Sequence, residues 1–283
     1  MVIANPIFDE VFKRLMENQP IAKFFIETLL EETIEYLEFK PQEFTFEDQV
    51  AGIGVFRVDF IATIKTSDGG YKKVLIEIQK AKHAIDIMRF RKYLAGQYKI
   101  EDEIQTETGR KKVILPIITI YMLGFQLPEI NTSAVKVSRQ YIDLTTHKVI
   151  NQKNDFIEKL THDSYVVQMP RIQGKLQTRL DELLSIFEQN YFVDDKGIIK
   201  RYDYTIDNAI IKSMVDILHY AGTDPESRKR IEDEQEAYRV LDFMAEEKAQ
   251  KLQVKIDELT KTNEEKDKKI AELEKMLGKD KKE

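Results

Sequence analysis

Two short apolar runs, each with one acidic residue near its centre, constrain the fold of this chain more than any other feature. The first extends from Val55 to Ala62 and contains Asp59, and the second extends from Val74 to Gln79 and contains Glu77. An ionised carboxylate in a buried strand is strongly unfavourable unless it is paired or binds a metal ion. The runs therefore predict two neighbouring strands whose acids attract a divalent cation.

The turn between these runs decides whether the two acids share a face of the sheet. Residues 66–70 read Thr-Ser-Asp-Gly-Gly, a hairpin signal that includes glycine for a positive φ angle. A two-residue loop would send Glu77 to the opposite face, whereas a three-residue loop sets Asp59 directly opposite Glu77. We predict the three-residue loop, which pairs the first residue of the turn with the last. It also places Gln79 on the Glu77 face, opposite Arg57.

Composition narrows the chemistry that such a site can use. The chain contains no cysteine, and its four histidines have no metal-ligand spacing, so any metal site must be built from oxygen ligands. The 42% of hydrophobic residues suffices for a core. The apolar runs are too short to cross a bilayer and the N-terminus lacks a signal-peptide pattern, which predicts a cytoplasmic protein with no membrane contact.

Charge is distributed unevenly along the chain. The formal net charge of -6 argues against nucleic-acid binding through the overall field, since such binding depends on local clusters of cations. Residues 1–48 are acidic, whereas residues 65–112 are rich in lysine and arginine. We expect a positive surface beside the two acids. Within it, Arg89, Arg91 and Lys92 suit either an ordinary charged helix face or phosphate contacts.

Helical and strand-like patterns surround the acid-bearing runs. Asn5-Pro6 predicts the start of a first helix and Pro20 the start of a second. Residues 84–98 have helical period, and residues 113–123 form an apolar run suited to a strand covered on both faces. The residues expected to face inward from the 84–98 helix are Ile87, Phe90, Leu94 and Tyr98. The order predicts an α/β core with a mixed central sheet flanked by helices.

Three segments follow from these patterns. Residues 1–125 form the core, residues 126–223 an α+β and helical supporting region, and residues 224–283 a long C-terminal helix with a coiled-coil segment. The coiled-coil seam alternates at four and three residues: Leu252, Ile256, Leu259, Asn263, Lys266, Ile270, Leu273 and Leu277. Asparagine at a core position fixes register in parallel pairs, so we expect a homodimer through this helix.

Asp59 followed by Glu77-Ile78-Gln79 on paired strands, with helices before and after, resembles the PD-(D/E)XK nuclease superfamily. The likeness is to the branch of PD-(D/E)XK nuclease family transposases, close to the Rpn recombination-promoting nucleases. It extends to residues 8–15, 88–94 and 116–125, which look like the family's opening helix, a later helix and the next strand. The resemblance covers roughly the first 125 residues and implies a restriction-endonuclease-like core.

The resemblance implies a divalent-metal-dependent endonuclease that hydrolyses phosphodiester bonds in DNA and needs no small-molecule cofactor. Asp59, Glu77 and the backbone carbonyl of Ile78 would hold Mg²⁺ or Mn²⁺, and Asp9 matches a position that often supplies another acid. Magnesium prefers one or two carboxylates completed by water and phosphate oxygens, which suits this sparse ligand set.

One position departs from the superfamily's general pattern. Gln79 stands where a lysine usually helps to orient the attacking water, although glutamine is typical of this branch. An amide supplies no positive charge, so transition-state stabilisation must come from another residue. The candidates are Lys82, Arg91 and Lys92, which with Arg89 form the expected nucleic-acid-binding set.

Alternative interpretations of the same residues stay open. Asp59 can be a buried acid satisfied by Arg57 or a backbone amide, Asp9 can be placed by the helix dipole, and Lys13 is expected to be solvated or ion-paired. At the level of function, the alternatives are a catalytically weak or inactive nuclease-derived protein that binds nucleic acid, or a coiled-coil scaffold with a protein-binding domain. The scaffold predicts no metal binding near Glu77.

Overall fold

A computed structural model describes residues 1–40, 43–48, 52–57, 59–80, 84–106, 109–205 and 207–279. The chain divides into two compact units, Met1–Ile231 and Glu232–Glu283. In chain order the elements are β1 (Val2–Ala4), α1 (Asp9–Glu17), α2 (Gln19–Leu30), β2 (Ile34–Phe39), β3 (Glu43–Asp48), β4 (Gly52–Arg57), β5 (Phe60–Thr66), β6 (Tyr71–Gln79), α3 (Ala84–Tyr98), β7 (Asp102–Thr106), β8 (Gly109–Val113), β9 (Ile117–Leu123), β10 (Ala134–Val137), β11 (Tyr141–Ile142), β12 (Val149–Ile150), α4 (Asp155–Leu160), β13 (His162–Gln168), a 3-10 turn (Met169–Arg171), α5 (Arg179–Ser185), β14 (Ile199–Arg201), α6 (Ala209–Thr223) and α7 (Pro225–Lys279).

A six-stranded mixed sheet lies at the centre of the first unit. Its strand order is β10-β13-β9-β6-β5-β2, with β6, β9 and β13 parallel and the other neighbouring pairs antiparallel. The helix α3 lies between the parallel strands β6 and β9 in the chain, as a crossover connection requires. The predicted α/β class with a mixed central sheet flanked by helices is confirmed. Strands β10 and β13, from the expected supporting region, extend this same sheet.

The alternation along β6 assigns each face of the sheet to a different set of helices. Val74, Ile76 and Ile78 belong to the large hydrophobic cluster that also includes residues of α1, α2, α5 and α6. Leu75 belongs to a smaller cluster with Phe90 of α3. Because successive residues of a strand point to opposite faces, Glu77 lies on the α3 side of the sheet.

Three phenylalanines join the two expected regions within the large cluster. The rings of Phe12 in α1, Phe25 in α2 and Phe187 after α5 pack edge to face, with centroids 5.7 to 6.4 Å apart. Such pairs add to the free energy gained by burying the rings themselves. The N-terminal helices are therefore fixed against the sheet by residues from both parts of the first unit.

The three-residue hairpin loop is confirmed. The N–H of Thr66 donates to the carbonyl of Gly70 over 2.9 Å, and Gly69 has a φ angle of 84°, which favours glycine. The ladder then pairs Lys65 with Tyr71 and continues to Phe60 opposite Ile76. This register puts Asp59, one residue before β5, level with Glu77.

The expected single strand from Val55 to Ala62 is wrong. Strand β4 ends at Arg57 and pairs with β3, where Arg57 lies opposite Glu43, whereas β5 begins at Phe60. Arg57 therefore does not face Gln79 across the β5–β6 pair. The backbone instead bends at Asp59, and the side chain of Asp59 is buried.

Two other predicted boundaries also need correction. Helix α1 begins at Asp9 and not after Asn5. The Asn5 side-chain oxygen accepts the N–H of Ile7 in a turn that precedes the helix, and its amide nitrogen donates to Gln189 and to the carbonyl of Gly197. Strand β9 begins only at Ile117, since the preceding proline lacks the N–H that a ladder needs.

Helix α3 has the predicted limits but a different buried face. Ile87 is 58% exposed and Tyr98 is 37% exposed, while Phe90, Tyr93 and Gln97 are buried. The polar segment that follows was not predicted to be regular, yet it forms the β7–β8 hairpin. Among the described residues no helix is both long and apolar enough to cross a membrane.

Candidate metal and nucleic-acid site

The two predicted acids lie where β5 begins and β6 ends. Asp59 precedes the first residue of β5, and Glu77 is the third residue from the end of β6. Asp59 is 9% exposed and Glu77 is 1% exposed. The hairpin register therefore places two buried carboxyl groups side by side at one end of the central strands.

At this end of the sheet the side chain of Asp59 accepts a hydrogen bond from a backbone N–H of the neighbouring strand. Its Oδ2 atom accepts a hydrogen bond from the N–H of Ile78 over 2.6 Å. Backbone pairing between β5 and β6 stops at Phe60 and Ile76, so the carboxylate satisfies an N–H beyond the end of the ladder. The Ile78 side chain itself is buried in the large hydrophobic cluster.

The electrostatic environment of Asp59 is unfavourable for its charged form. Burial raises the pKa of Asp59 well above its ordinary value, and the nearby carboxylates of Glu77 and Asp9 raise it further. The N–H of Ile78 and the ammonium group of Lys13 lower this pKa, but less strongly. Three acids and one lysine thus share one neighbourhood, and added positive charge would stabilise it.

Glu77 lies next to an aromatic pair on the α3 side of the sheet. Tyr121 of β9 lies beside Glu77 in the parallel ladder, and its ring packs against Phe90 with centroids 4.5 Å apart. Burial, with a smaller contribution from the Glu77 carboxylate, raises the pKa of Tyr121 to about 12. Glu77 is therefore held in a low-dielectric wall of the site, where a bound cation would interact strongly with it.

Close backbone packing brings the start of α1 to the same end of the sheet. The N–H of Gly124, just after β9, donates to the carbonyl of Gln79 over 2.7 Å. A Cβ atom added at Gly124 would lie 2.6 Å from the Lys80 carbonyl oxygen and 2.8 Å from Cδ1 of Ile7. The Lys80 ammonium lies 4.1 Å from the centre of the Phe8 ring. This packing explains how Asp9, the first residue of α1, comes near Asp59.

Lys13 is the residue that the sequence did not assign to the site. It follows Asp9 by four residues, so both lie on one face of α1, and its ammonium group acts on the Asp59 carboxylate. The available signal was this spacing of four from the predicted acid. It was not sufficient, because the same spacing is common among solvated helix residues.

The protein supplies only a few carboxylate ligands for a hard divalent cation at this site. Within the part of the chain that the structure describes, no three or more His, Cys, Asp or Glu side chains form a group able to hold a metal ion. Asp59 and Glu77 supply two carboxylates, which matches the requirement of Mg²⁺ when water and phosphate oxygens complete its shell. The ligand roles of Ile78 and Asp9 stay predictions, and the mutual repulsion around Asp59 is the observation that fits a cation.

The predicted nucleic-acid-binding residues are described only in part. Arg91 and Lys92 are exposed on α3, outside its buried face of Phe90 and Tyr93. Lys82 and the side chain of Arg89 lie outside the described residues. Gln79 is partly buried on the same face of β6 as Glu77.

The structure thus brings Asp9, Lys13, Asp59 and Glu77 together at one end of the sheet, with Gln79 beside them on β6. Comparisons of this chain with family models, with curated proteins and with solved structures give no match. Function is therefore inferred from the chemistry of the site.

Proposed function

We propose that this protein is a divalent-metal-dependent endonuclease that hydrolyses phosphodiester bonds in DNA, of the transposase-associated PD-(D/E)XK type. The observation that supports it most directly is the pair of buried acids, Asp59 and Glu77, brought together by the β5–β6 register. Buried charges that repel each other are unfavourable for stability and are retained where they have a role. A restriction-endonuclease-like core and a cytoplasmic location belong to the same proposal.

Asp59 and Glu77 would hold Mg²⁺ or Mn²⁺, with the Ile78 carbonyl and Asp9 as further oxygen donors. When bound, such an ion supplies Lewis-acid chemistry, since it stabilises negative charge that develops on the phosphoryl group and makes water a stronger nucleophile. The hydrogen bond from the Ile78 N–H fixes the orientation of Asp59. The amide of Gln79 can orient the attacking water by hydrogen bonding.

Lys13 supplies the positive charge that Gln79 lacks. Its ammonium group already acts on the Asp59 carboxylate, so it lies within electrostatic reach of the reacting phosphate in this proposal. Arg91 and Lys92, exposed on α3, would contact the phosphate backbone on either side of the cleaved bond, together with Lys82 and Arg89.

Plasmid cleavage tests this proposal. The full-length protein should nick or linearise supercoiled DNA with Mg²⁺ or Mn²⁺ and stop when EDTA is added. Asp59→Asn and Glu77→Gln, which preserve shape and remove one charge each, should lose cleavage by about a hundredfold or more. Glu103→Gln is a matched control, since Glu103 is 49% exposed on β7, and it should cleave like the wild type.

The same variants separate the proposal from its rivals. Salt-sensitive DNA binding without cleavage by the wild type under either metal would favour a nuclease-derived binding protein. Absence of both DNA binding and metal binding would favour a coiled-coil scaffold. RNA cleavage in place of DNA cleavage would retain the site chemistry but contradict the substrate.

A further inference from the structure

The second unit has an apolar stripe along one face of α7. Five aliphatic side chains in this stripe are each between 53% and 58% exposed: Leu252, Ile256, Leu259, Ile270 and Leu273. Single exposed leucines are ordinary, but several aliphatic residues at heptad spacing on one helix face mark a contact surface. The row is the same seam that the sequence pattern predicts.

The spacing of the seam defines the heptad positions. Ile256, Asn263, Ile270 and Leu277 fall at position a, and Leu252, Leu259, Lys266 and Leu273 fall at position d. The repeat is sustained for nearly four heptads, which is enough for a coiled coil, and is about 40 Å long.

We infer that a second copy of this chain covers the seam as a parallel, in-register, two-stranded coiled coil over residues 252–277. The inference does not depend on the nuclease proposal. It goes further than an oligomeric state, because it commits to an orientation and to named contacts between the two copies.

Polar residues in and beside the seam favour the parallel orientation. In a parallel pair, Asn263 meets Asn263 of the partner subunit, where the two amides can bond each other. Lys266, at a core position, lies beside Asp267 of the partner subunit. The lysine at the core position therefore has an opposite charge near it.

The antiparallel alternative loses these contacts. Reversing one helix over the same seam places Ile256 against Leu273 and Asn263 against Lys266 of the other chain. The central asparagines then no longer meet. Both orientations bury the aliphatic residues, so the polar contacts decide between them.

Single-cysteine cross-linking tests the orientation, and it is clean here because the chain contains no cysteine. In the full-length protein, Ile256→Cys should form a disulfide-linked dimer on mild oxidation, since position a faces its own copy in a parallel pair. In an antiparallel pair the two introduced thiols would be about 25 Å apart. Glu258→Cys, at an outward position c, is the matched control and should remain monomeric on denaturing gels.

A second measurement needs no variant. Sedimentation equilibrium of the wild type should give twice the chain mass of 33.2 kDa. A monomer or a tetramer in this measurement would overturn the inference. So would cross-linking that requires a mixture of Ile256→Cys and Leu273→Cys chains, because that result identifies the antiparallel pair.

Discussion

Asp59→Asn should make the metal-free protein more stable while abolishing its response to Mg²⁺. The substitution keeps the shape of the side chain and an oxygen that can accept the N–H of Ile78. It removes a buried negative charge that the carboxylates of Glu77 and Asp9 repel. A residue that stabilises the fold would show the opposite sign.

The magnitude follows from three terms. As an order of magnitude, two unit charges on the order of 8 Å apart interact by about 2 kcal/mol at an effective dielectric constant of about 20. Two repulsions of this size, from Glu77 and Asp9, less one attraction, to Lys13, leave a net repulsion of about 2 kcal/mol. Release from burial adds about 1 kcal/mol or more. Replacing the charge-assisted bond to Ile78 by a neutral one loses about 1 kcal/mol. The free energy of unfolding should therefore rise by about 2 kcal/mol, or about 4–8 °C in Tm for a unit of this size.

The gain should depend on pH with a definite sign. The pKa of Asp59 is raised in the folded state, so between its ordinary value of 3.8 and the folded value the folded protein binds more protons than the unfolded one. Wild-type stability thus falls as pH rises through this window, and Asp59→Asn lacks that fall. The difference in Tm between the two proteins should be near zero below about pH 4 and should grow as the pH rises through this window.

Differential scanning calorimetry in EDTA, repeated in excess Mg²⁺, measures both effects. Mg²⁺ at about a hundred times its Kd should stabilise the wild type by about 2.7 kcal/mol and leave Asp59→Asn unchanged. Glu103→Gln should stay within about 0.5 kcal/mol of the wild type in both buffers. A less stable Asp59→Asn at every pH would refute the reasoning, because it would make Asp59 a satisfied structural acid.

Three further predictions concern lysines. Lys73→Met should lower the free energy of unfolding in urea by about 3–5 kcal/mol. Lys73 lies 2.9 Å from the buried Asp102, and its loss leaves that carboxylate uncompensated. The double variant with Asp102→Leu should recover most of the lost free energy, and additive losses would contradict the prediction. Lys13→Met should slow DNA cleavage by about a hundredfold, with partial retention in Lys13→Arg, whereas equal rates in all three proteins would exclude a role for its charge. Burial lowers the pKa of Lys200 to about 7. Between about pH 7 and 10.5 the unfolded chain binds a proton that the folded one does not, so the free energy of unfolding of the wild type should rise over this range. Lys200→Met should lack that rise, and equal pH dependence in the two proteins would contradict the prediction.

The sequence was sufficient for the local geometry of the acid pair. The glycine-containing turn favours one register, and a shift by one residue would exchange the two buried faces of β6 and move Glu77 away from the α3 side of the sheet. The limits of α3 over residues 84–98 were also predicted, but its amphipathic period is weak, and the face predicted to be buried was wrong.

Long-range contacts account for what the sequence did not reveal. The break between Arg57 and Phe60 depends on the pairing of β4 with β3 and not with β6, a choice that no local pattern specifies. Asn5 has the residue type of a helix cap, yet its side chain bonds the N–H of Ile7 in a turn before the helix and also Gln189, far along the chain. Lys13 joins the site because the packing of α1 against the ends of β6 and β9 brings it there. Such arrangements follow from tertiary packing, which overrides local propensity.

Binding of Mn²⁺ to the purified protein, followed by electron paramagnetic resonance, tests the central claim that Asp59 and Glu77 together hold a divalent ion. The wild type and Glu103→Gln should each bind Mn²⁺ at a site that Mg²⁺ displaces, and Asp59→Asn and Glu77→Gln should each bind it about a hundredfold more weakly or worse. Equal binding by all four proteins, or none by the wild type, would contradict the claim.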